Sequence, residues 1–321
     1  MLQLAPVPSV WDKYGLTPLP SAAAKKSRDA QGRYASLPRP HRFRLALQEA
    51  GGLFTLFGQF LSGRADLLPG PHLAQLRTVR IDRQSLVPPS SLPEIRDRIV
   101  QAEWVRNAPC SEIYAASYQD RQIMVEVFLA DGGYSDNELQ EMERQVRLLK
   151  NSSEGAVAKP LVLEQFREWL KFQADVERKR EMLRHLQEIP FPCVLRFPRL
   201  VPDLQSTRCL VYERMEGSPL AEALEDTAGS AKALDLWAEV LLEQSLLLSL
   251  LDADAQPSNY LLLHDGGAGF RTLPAMVPVP VEWHNELLQY LTSAIAGNSY
   301  RAMQMVSRIC AGANPYGVEK M

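Results

Sequence analysis

The chain has 321 residues, 46% hydrophobic and 23% charged, with 35 Lys and Arg against 38 Asp and Glu and a net charge of -3. That balance is too apolar and too nearly neutral for a disordered chain, and the length supports one large or two ordinary cores. No apolar run approaches the ~20 residues that cross a bilayer, and Pro6, Pro8, Asp12 and Lys13 stand where a secretory leader needs its apolar stretch. Four widely spaced cysteines (Cys110, Cys193, Cys209, Cys310) fit reduced thiols of a cytoplasmic protein.

Residues 1–44 carry Lys13, Lys25, Lys26, Arg28, Arg33, Arg39, Arg42 and Arg44 against Asp12 and Asp29. With much Pro and Ala and weak periodicity, this reads as an extended basic arm, either solvated or set to meet an anionic membrane or acidic partner. From Leu45, apolar residues recur at helical steps through Leu53, Leu56, Phe57, Phe60 and Leu61 until Pro69. A short helix over 72–78, a Pro/Ser linker over 88–93 and an amphipathic helix bearing Ile95, Ile99 and Ala102 follow.

Residues 112–117 and 121–128 predict a β-hairpin turning at Gln119-Asp120. Next come a helix with Leu139, Met142, Val146 and Leu149 on one face and a long charged helix over 161–188. Two short strands, over 195–200 and 208–213, close this block. Beyond Gly217 the pattern is helical except over 252–280, and residues 216–265 hold ten acids against Lys232. The order predicts an α+β, protein-kinase-like bilobal fold: a helical extension over 45–102, a small antiparallel sheet lobe with inserted helices over 103–216, and a helical C-lobe over 217–321.

Four segments in register resemble the UbiB/ADCK (AarF-domain) family of atypical kinases, over most of the chain from Leu45 to Cys310. Phe57-Gly58-Gln59-Phe60-Leu61-Ser62-Gly63-Arg64-Ala65-Asp66-Leu67-Leu68-Pro69 is similar to the family's K-x-G-Q helix and following L-S-x-R-x-D-L-L-P. Leu210-Val211-Tyr212-Glu213-Arg214-Met215-Glu216-Gly217 resembles the strand and hinge V-M-E-x-x-x-G, placing Glu213 and Met215 at the nucleotide. Asp252-Ala253-Asp254-Ala255-Gln256-Pro257-Ser258-Asn259 stands where the family reads H-A-D-P-H-P-G-N, and Ala296-Gly297-Asn298-Ser299-Tyr300 resembles a late helix break. The resemblance implies a kinase lobe pair, Mg-ATP as cofactor, a role in ubiquinone or related isoprenoid-lipid metabolism, and association with membranes. The family's terminal membrane helices have no counterpart here, so peripheral or partner-mediated attachment is expected.

Phosphoryl transfer needs a cationic clamp on the phosphates, carboxylates on the metal and a carboxylate near the nucleophile. Against the family's V-A-V-K-V, the strand reads Ile123-Met124-Val125-Glu126-Val127, which puts Glu126 in the Lys position. The acid expected to pair with that Lys falls near Asp175 or Glu177, and Lys171 or Arg178 offers Glu126 a substitute partner. The phosphate-covering loop Asn107-Ala108-Pro109-Cys110-Ser111-Glu112 lacks a donor at Pro109 and adds a charge at Glu112, so an ordinary hairpin start suits it better. Asp254 (catalytic) and Asn259 (metal) keep the D-x-x-x-x-N spacing. Asp252, Asp254 and Asn259 read equally as a Mg²⁺ site or as a polar turn.

The D-F-G acid is replaced by Thr272, Asp265 reads as a turn residue, and Leu56 replaces the Lys of K-x-G-Q. Gly58 and Gln59 remain, Gly58 for close packing and Gln59 toward the cleft. Arg64 and Asp66 are expected to form a local ion pair or to cap a turn, and Trp104, Trp169, Trp237 and Trp283 to pack the lobes. The histidines show no metal spacing, and overall acidity argues against nucleic acid.

Whether the chain is an enzyme stays open on these residues. An impaired kinase homologue acting as scaffold or regulator of isoprenoid-quinone enzymes is the first expectation. A residual Mg-ATP enzyme using Asp254 and Asn259, and a nucleotide-independent lipid-binding protein at a membrane, are the alternatives.

Overall fold

The computed structural model describes residues 8–17, 34, 36–81, 88, 89, 92–189, 194–226, 229–252, 255–271, 273, 276–279 and 281–309. The chain divides into two compact units, Met1–His185 with Arg199–Arg214, and Leu186–Pro198 with Met215–Met321. The α+β composition expected from the sequence is present: helices surround an antiparallel sheet in the first unit and accompany two small sheets in the second.

The first unit opens on α1 (Pro8–Lys13), which the sequence placed in an extended arm. It is docked instead: Trp11, Tyr14 and Leu16 are buried, and Trp11 meets Phe54 edge-on at 5.8 Å. The arm's cations hold it down. Lys13 and Tyr14 bond Glu49 at 2.7 and 2.8 Å, and Arg39 and Arg42 donate to the carbonyls of Leu16 and Tyr14 at 3.0 and 2.8 Å.

The helical run expected from Leu45 begins earlier and is two helices, α2 (Arg39–Ala50) and α3 (Gly52–Leu61). They part at Gly51, whose φ of +67° is costly for any residue with a Cβ. α4 (Gly70–Leu76) follows, starting where Pro69 and Pro71 favour a helix N-terminus. Residues 93–98 are turns rather than the amphipathic helix expected there, and strand β1 (Val100–Asn107) occupies the rest of that stretch.

The predicted hairpin is β2 (Ser111–Tyr118) and β3 (Arg121–Phe128). Gln119 and Asp120 both take positive φ (+47° and +62°), as a two-residue turn matched to strand twist requires. α5 (Asp136–Val146) starts on a Ser135–Glu138 capping box. The single charged helix expected over 161–188 is broken into α6 (Pro160–Ala174) and α7 (Val176–Gln187). The break is Asp175, extended at ψ 94°, whose carboxylate accepts from Arg178 N at 2.9 Å. β4 (Cys209–Glu213) completes a sheet of order β1-β2-β3-β4, every neighbour antiparallel. Of the strand expected over 195–200, only isolated bridges at Leu195 and Leu200 form.

Alternation sorts the two faces of this sheet. Tyr114, Ala116, Ile123, Val125, Val127, Cys209 and Val211 form one core cluster with Leu92, Ile95 and Ile99. A second cluster joins α1 to α6 through Trp11, Phe43, Phe54, Phe57 and Phe166.

The second unit contains β5 (Gly217–Pro219), α8 (Leu220–Glu225), α9 (Ser230–Leu242), β6 (Leu250–Asp252), β7 (Tyr260–Leu263), β8 (Ala268–Phe270), β9 (Met276–Pro278), α10 (Val281–Ile295) and α11 (Ser299–Ile309). β5-β7-β8 and β6-β9 are separate sheets. α9 runs into a π-turn over 243–247, which aims buried Glu243 at the amides of Val194 and Leu195, 2.8 Å each. Trp169 is buried and Trp237 lies against Tyr260, but Trp104 and Trp283 are about half exposed, contrary to the packing role expected of all four. Among the described residues, no helix is long and apolar enough to cross a membrane.

Candidate functional site

Glu126 lies in the middle of β3, opposite Ile113 on one side and Leu210 on the other. Met124, Glu126 and Phe128 share the sheet face away from the Val125 core, because successive strand residues alternate. The Glu126 side chain is fully buried, and a carboxylate removed from water requires hydrogen bonds and a counter-charge. Its Oε1 accepts from Ser111 Oγ at 2.6 Å and from Lys179 Nζ at 3.0 Å, while Oε2 is buried without a hydrogen bond.

Lys179 is the partner that the sequence reading missed. Lys171 pairs on the surface with Glu168 at 2.8 Å and lines a separate cavity of about 580 Å³. Arg178 is exposed, its guanidinium lying over the Phe172 ring at 4.3 Å. Lys179 is 2% exposed and also lies 5.1 Å from the Phe128 ring centre. The signal was present in the helix: Lys179, Leu183 and Leu186 follow one another at i, i+4 and i+7, all buried, so Lys179 occupies a core-facing position of α7. Asp175 and Glu177, where an acidic partner was expected, are exposed. Arg180 anchors the same helix by donating to the carbonyls of Ser206 and Cys209.

Tyr212, opposite Met124, shares the Glu126 face of the sheet, whereas Glu112, opposite Val127, lies on the other face with Tyr114. The Tyr212 hydroxyl is buried without a hydrogen bond, and its pKa is raised well above the usual phenol range by burial and then by the Glu126 charge. Glu112, one strand over, is buried and accepts from Tyr114 Oη at 2.7 Å. The loop before it closes as an ordinary hairpin start, Ala108 N to Ser111 O at 2.9 Å.

In the extension motif, Leu56 is buried in the core where the family carries Lys. Gly58 packs closely: a Cβ there would stand 3.3 Å from Leu47 Cδ1. Gln59 is half-buried, and its carbonyl accepts from Ser62 Oγ at 2.6 Å. Arg64 and Asp66 form the expected local pair at 2.7 Å, and Arg64 also donates to Gln165 at 2.8 Å.

The second unit holds the remaining residues. Asp252, at the end of β6, is buried, and its Oδ2 accepts from Tyr260 Oη at 2.7 Å. Gln244 donates to the same hydroxyl at 2.9 Å, so Asp252 belongs to a packed polar network. Asn259 turns the chain, its N–H on Gln256 O at 2.8 Å and its carbonyl accepting from Arg271 N at 2.9 Å. Asp254 and Thr272 lie outside the described residues. Asp265 caps its own turn, accepting from Gly267 N at 3.0 Å. Met215 packs over Gly269, while Glu213, in the first unit, pairs with Arg121 at 3.2 Å.

Among the described residues, no three His, Cys, Asp or Glu side chains are grouped to hold a metal ion. Glu126, which the sequence resemblance sets at the Lys position, is a buried carboxylate and supplies no cation. Asp252 is engaged with a tyrosine hydroxyl. The described donors therefore do not suit magnesium-bound triphosphate.

No protein-family model matches the chain. It is 27% identical over 270 residues to a probable protein kinase UbiB of Aliivibrio fischeri (strain MJ11), covering 77% of this chain and 49% of that protein. A probable protein kinase UbiB of Vibrio atlanticus is 26% identical over 267 residues, with the same coverage. The chain thus spans about half the length of the curated relatives it matches. A Mycobacterium tuberculosis protein solved in complex with erythromycin aligns at TM-score 0.47 and 22% identity, covering 83% of this chain and 67% of that one.

Proposed function

We propose that the chain, similar over 77% of its length to probable protein kinases UbiB, is a kinase homologue of that family working without phosphoryl transfer, as a scaffold or regulator supporting isoprenoid-quinone lipid metabolism. The observation that carries this is the buried Glu126–Lys179 pair. Kinase chemistry needs an ammonium on this strand, held by a carboxylate from the helix and free to meet the phosphates. Here the strand offers the carboxylate and the ammonium is consumed in neutralising it. Leu56 in place of the extension Lys and Thr272 in place of the metal-binding acid support the same reading. Its partners in this role are enzymes of isoprenoid-lipid synthesis, with peripheral contact to the membrane that holds their substrates.

Thermal melting with millimolar MgATP tests it. A ligand binding tighter than about 100 μM raises stability by RT ln(1 + [L]/Kd), about 1.4 kcal/mol at 1 mM. The proposal expects no shift. A Mg-dependent rise that disappears in Asp254→Ala or Asn259→Ala contradicts it and favours a residual ATP-binding protein that uses these residues.

A further inference from the structure

We infer that Glu126 and Lys179 form a polarity-reversed version of the strand–helix ion pair of kinases, and that Glu126 is the residue that excludes polyphosphate. The inference rests on the kinase-homologue reading above and deepens it: the clamp has been inverted, with its structural half retained.

The geometry distinguishes inversion from simple loss. A lost lysine replaced by an apolar residue leaves the helix without an ionic tie to the sheet. Here the tie persists at 3.0 Å between side chains 2% and 0% exposed. Ser111 adds a second donor to the same oxygen, and the Phe128 ring receives the ammonium at 5.1 Å. Reversing one partner alone leaves two like charges buried side by side, which is strongly destabilising, whereas reversing both restores neutrality. The orientation is therefore free to be either way for stability, but not for ligand choice. With the anion on the strand, the unsatisfied Oε2 is negative potential on the sheet face where a clamp needs positive potential. At the low effective dielectric of such a site, one inverted charge several ångströms from a phosphate changes affinity by about tenfold or more.

The experiment uses the full chain and four variants: Glu126→Lys, Lys179→Glu, the double swap E126K/K179E, and Glu126→Gln, which removes the charge with little change of shape. Melting and titration of a fluorescent N-methylanthraniloyl-ATP with Mg²⁺ are measured on each. Both single reversals should melt well below wild type, and the double swap should recover most of the loss. The double swap should bind the nucleotide about tenfold tighter than wild type, and Glu126→Gln should bind severalfold tighter. A merely structural pair gives the same melting pattern with no gain in binding. No gain in either the double swap or Glu126→Gln overturns the inference, and Glu126→Gln alone decides if the swap does not fold. Tight binding by wild type is a separate result, which contradicts the functional reading itself.

Discussion

At the residue scale, two buried carboxylates in the first unit are held in different ways. Glu126 has one ammonium and one hydroxyl. Glu154 receives Arg39 through two nitrogens at 2.7 Å each, His72 Nε2 at 3.2 Å and the hydroxyls of Ser152 and Ser153. Burial alone would push the Glu154 carboxyl up; the bonds from His72 and Arg39 and the Arg39 charge hold it well below the usual carboxylate range. A depressed folded pKa stabilises the fold above the ordinary carboxylate value, and the contribution is lost as pH falls through the folded one. Acid titration followed by circular dichroism should show this loss in strongly acidic solution. Glu154→Gln should cost about 3 kcal/mol at pH 7 in urea unfolding and weaken that acid dependence; an unchanged midpoint contradicts the assignment. Tyr260→Phe should cost about 1–3 kcal/mol by the same assay, since Asp252 and Gln244 lose their shared hydroxyl. Glu126 stood out in the sequence because it falls where the V-A-V-K-V strand of the resembled family carries Lys. Its partner did not, because Lys179 sits in the charged run Glu177 to Glu181 and only the phase of Leu183 and Leu186 marks it as inward-facing.

At the element scale, what was legible depended on local signals. The β2–β3 hairpin has alternation and a two-residue turn, both local, and was readable to within one residue. β1 was hidden because Ile95, Ile99 and Ala102 fit helical spacing; Ile95 and Ile99 are buried by turns folded against the sheet. The break at Asp175 falls inside a continuing helical pattern, whereas the one at Gly51 carried a local signal, the Gly51-Gly52 pair, that the apolar periodicity overrode. α1 was read as part of a basic arm since six residues cannot display a period. Its place in the fold rests on Trp11, and Trp11→Ala should lose about 3–5 kcal/mol of unfolding free energy. A melting temperature equal to wild type would mean that α1 is not part of the cooperative unit. Gly58→Leu should be disruptive by about 1–3 kcal/mol, because the side chain has to displace Leu47 and Val79.

At the scale of the molecule, a net charge of -3 conceals how the charges are used. Four cations assigned to the basic arm, Lys13, Arg39, Arg42 and Arg44, are engaged within the first unit by Glu49, Glu154, backbone carbonyls, Gln48 and Gln75. Lys25, Lys26, Arg28 and Arg33 lie outside the described residues. The acids of the second unit include two that serve the fold, Glu243 on backbone amides and Asp252 on a tyrosine. The α+β class and the β2–β3 hairpin were legible because they follow from periodicity; the Glu126–Lys179 pair was not, because it joins residues 53 apart in sequence. The proposed reversal of the strand–helix ion pair implies that the chain does not hold magnesium triphosphate. Isothermal titration of wild-type protein with MgATP up to a few millimolar tests it most directly. No saturable heat is expected. A saturable isotherm with a dissociation constant below about 100 μM would contradict it.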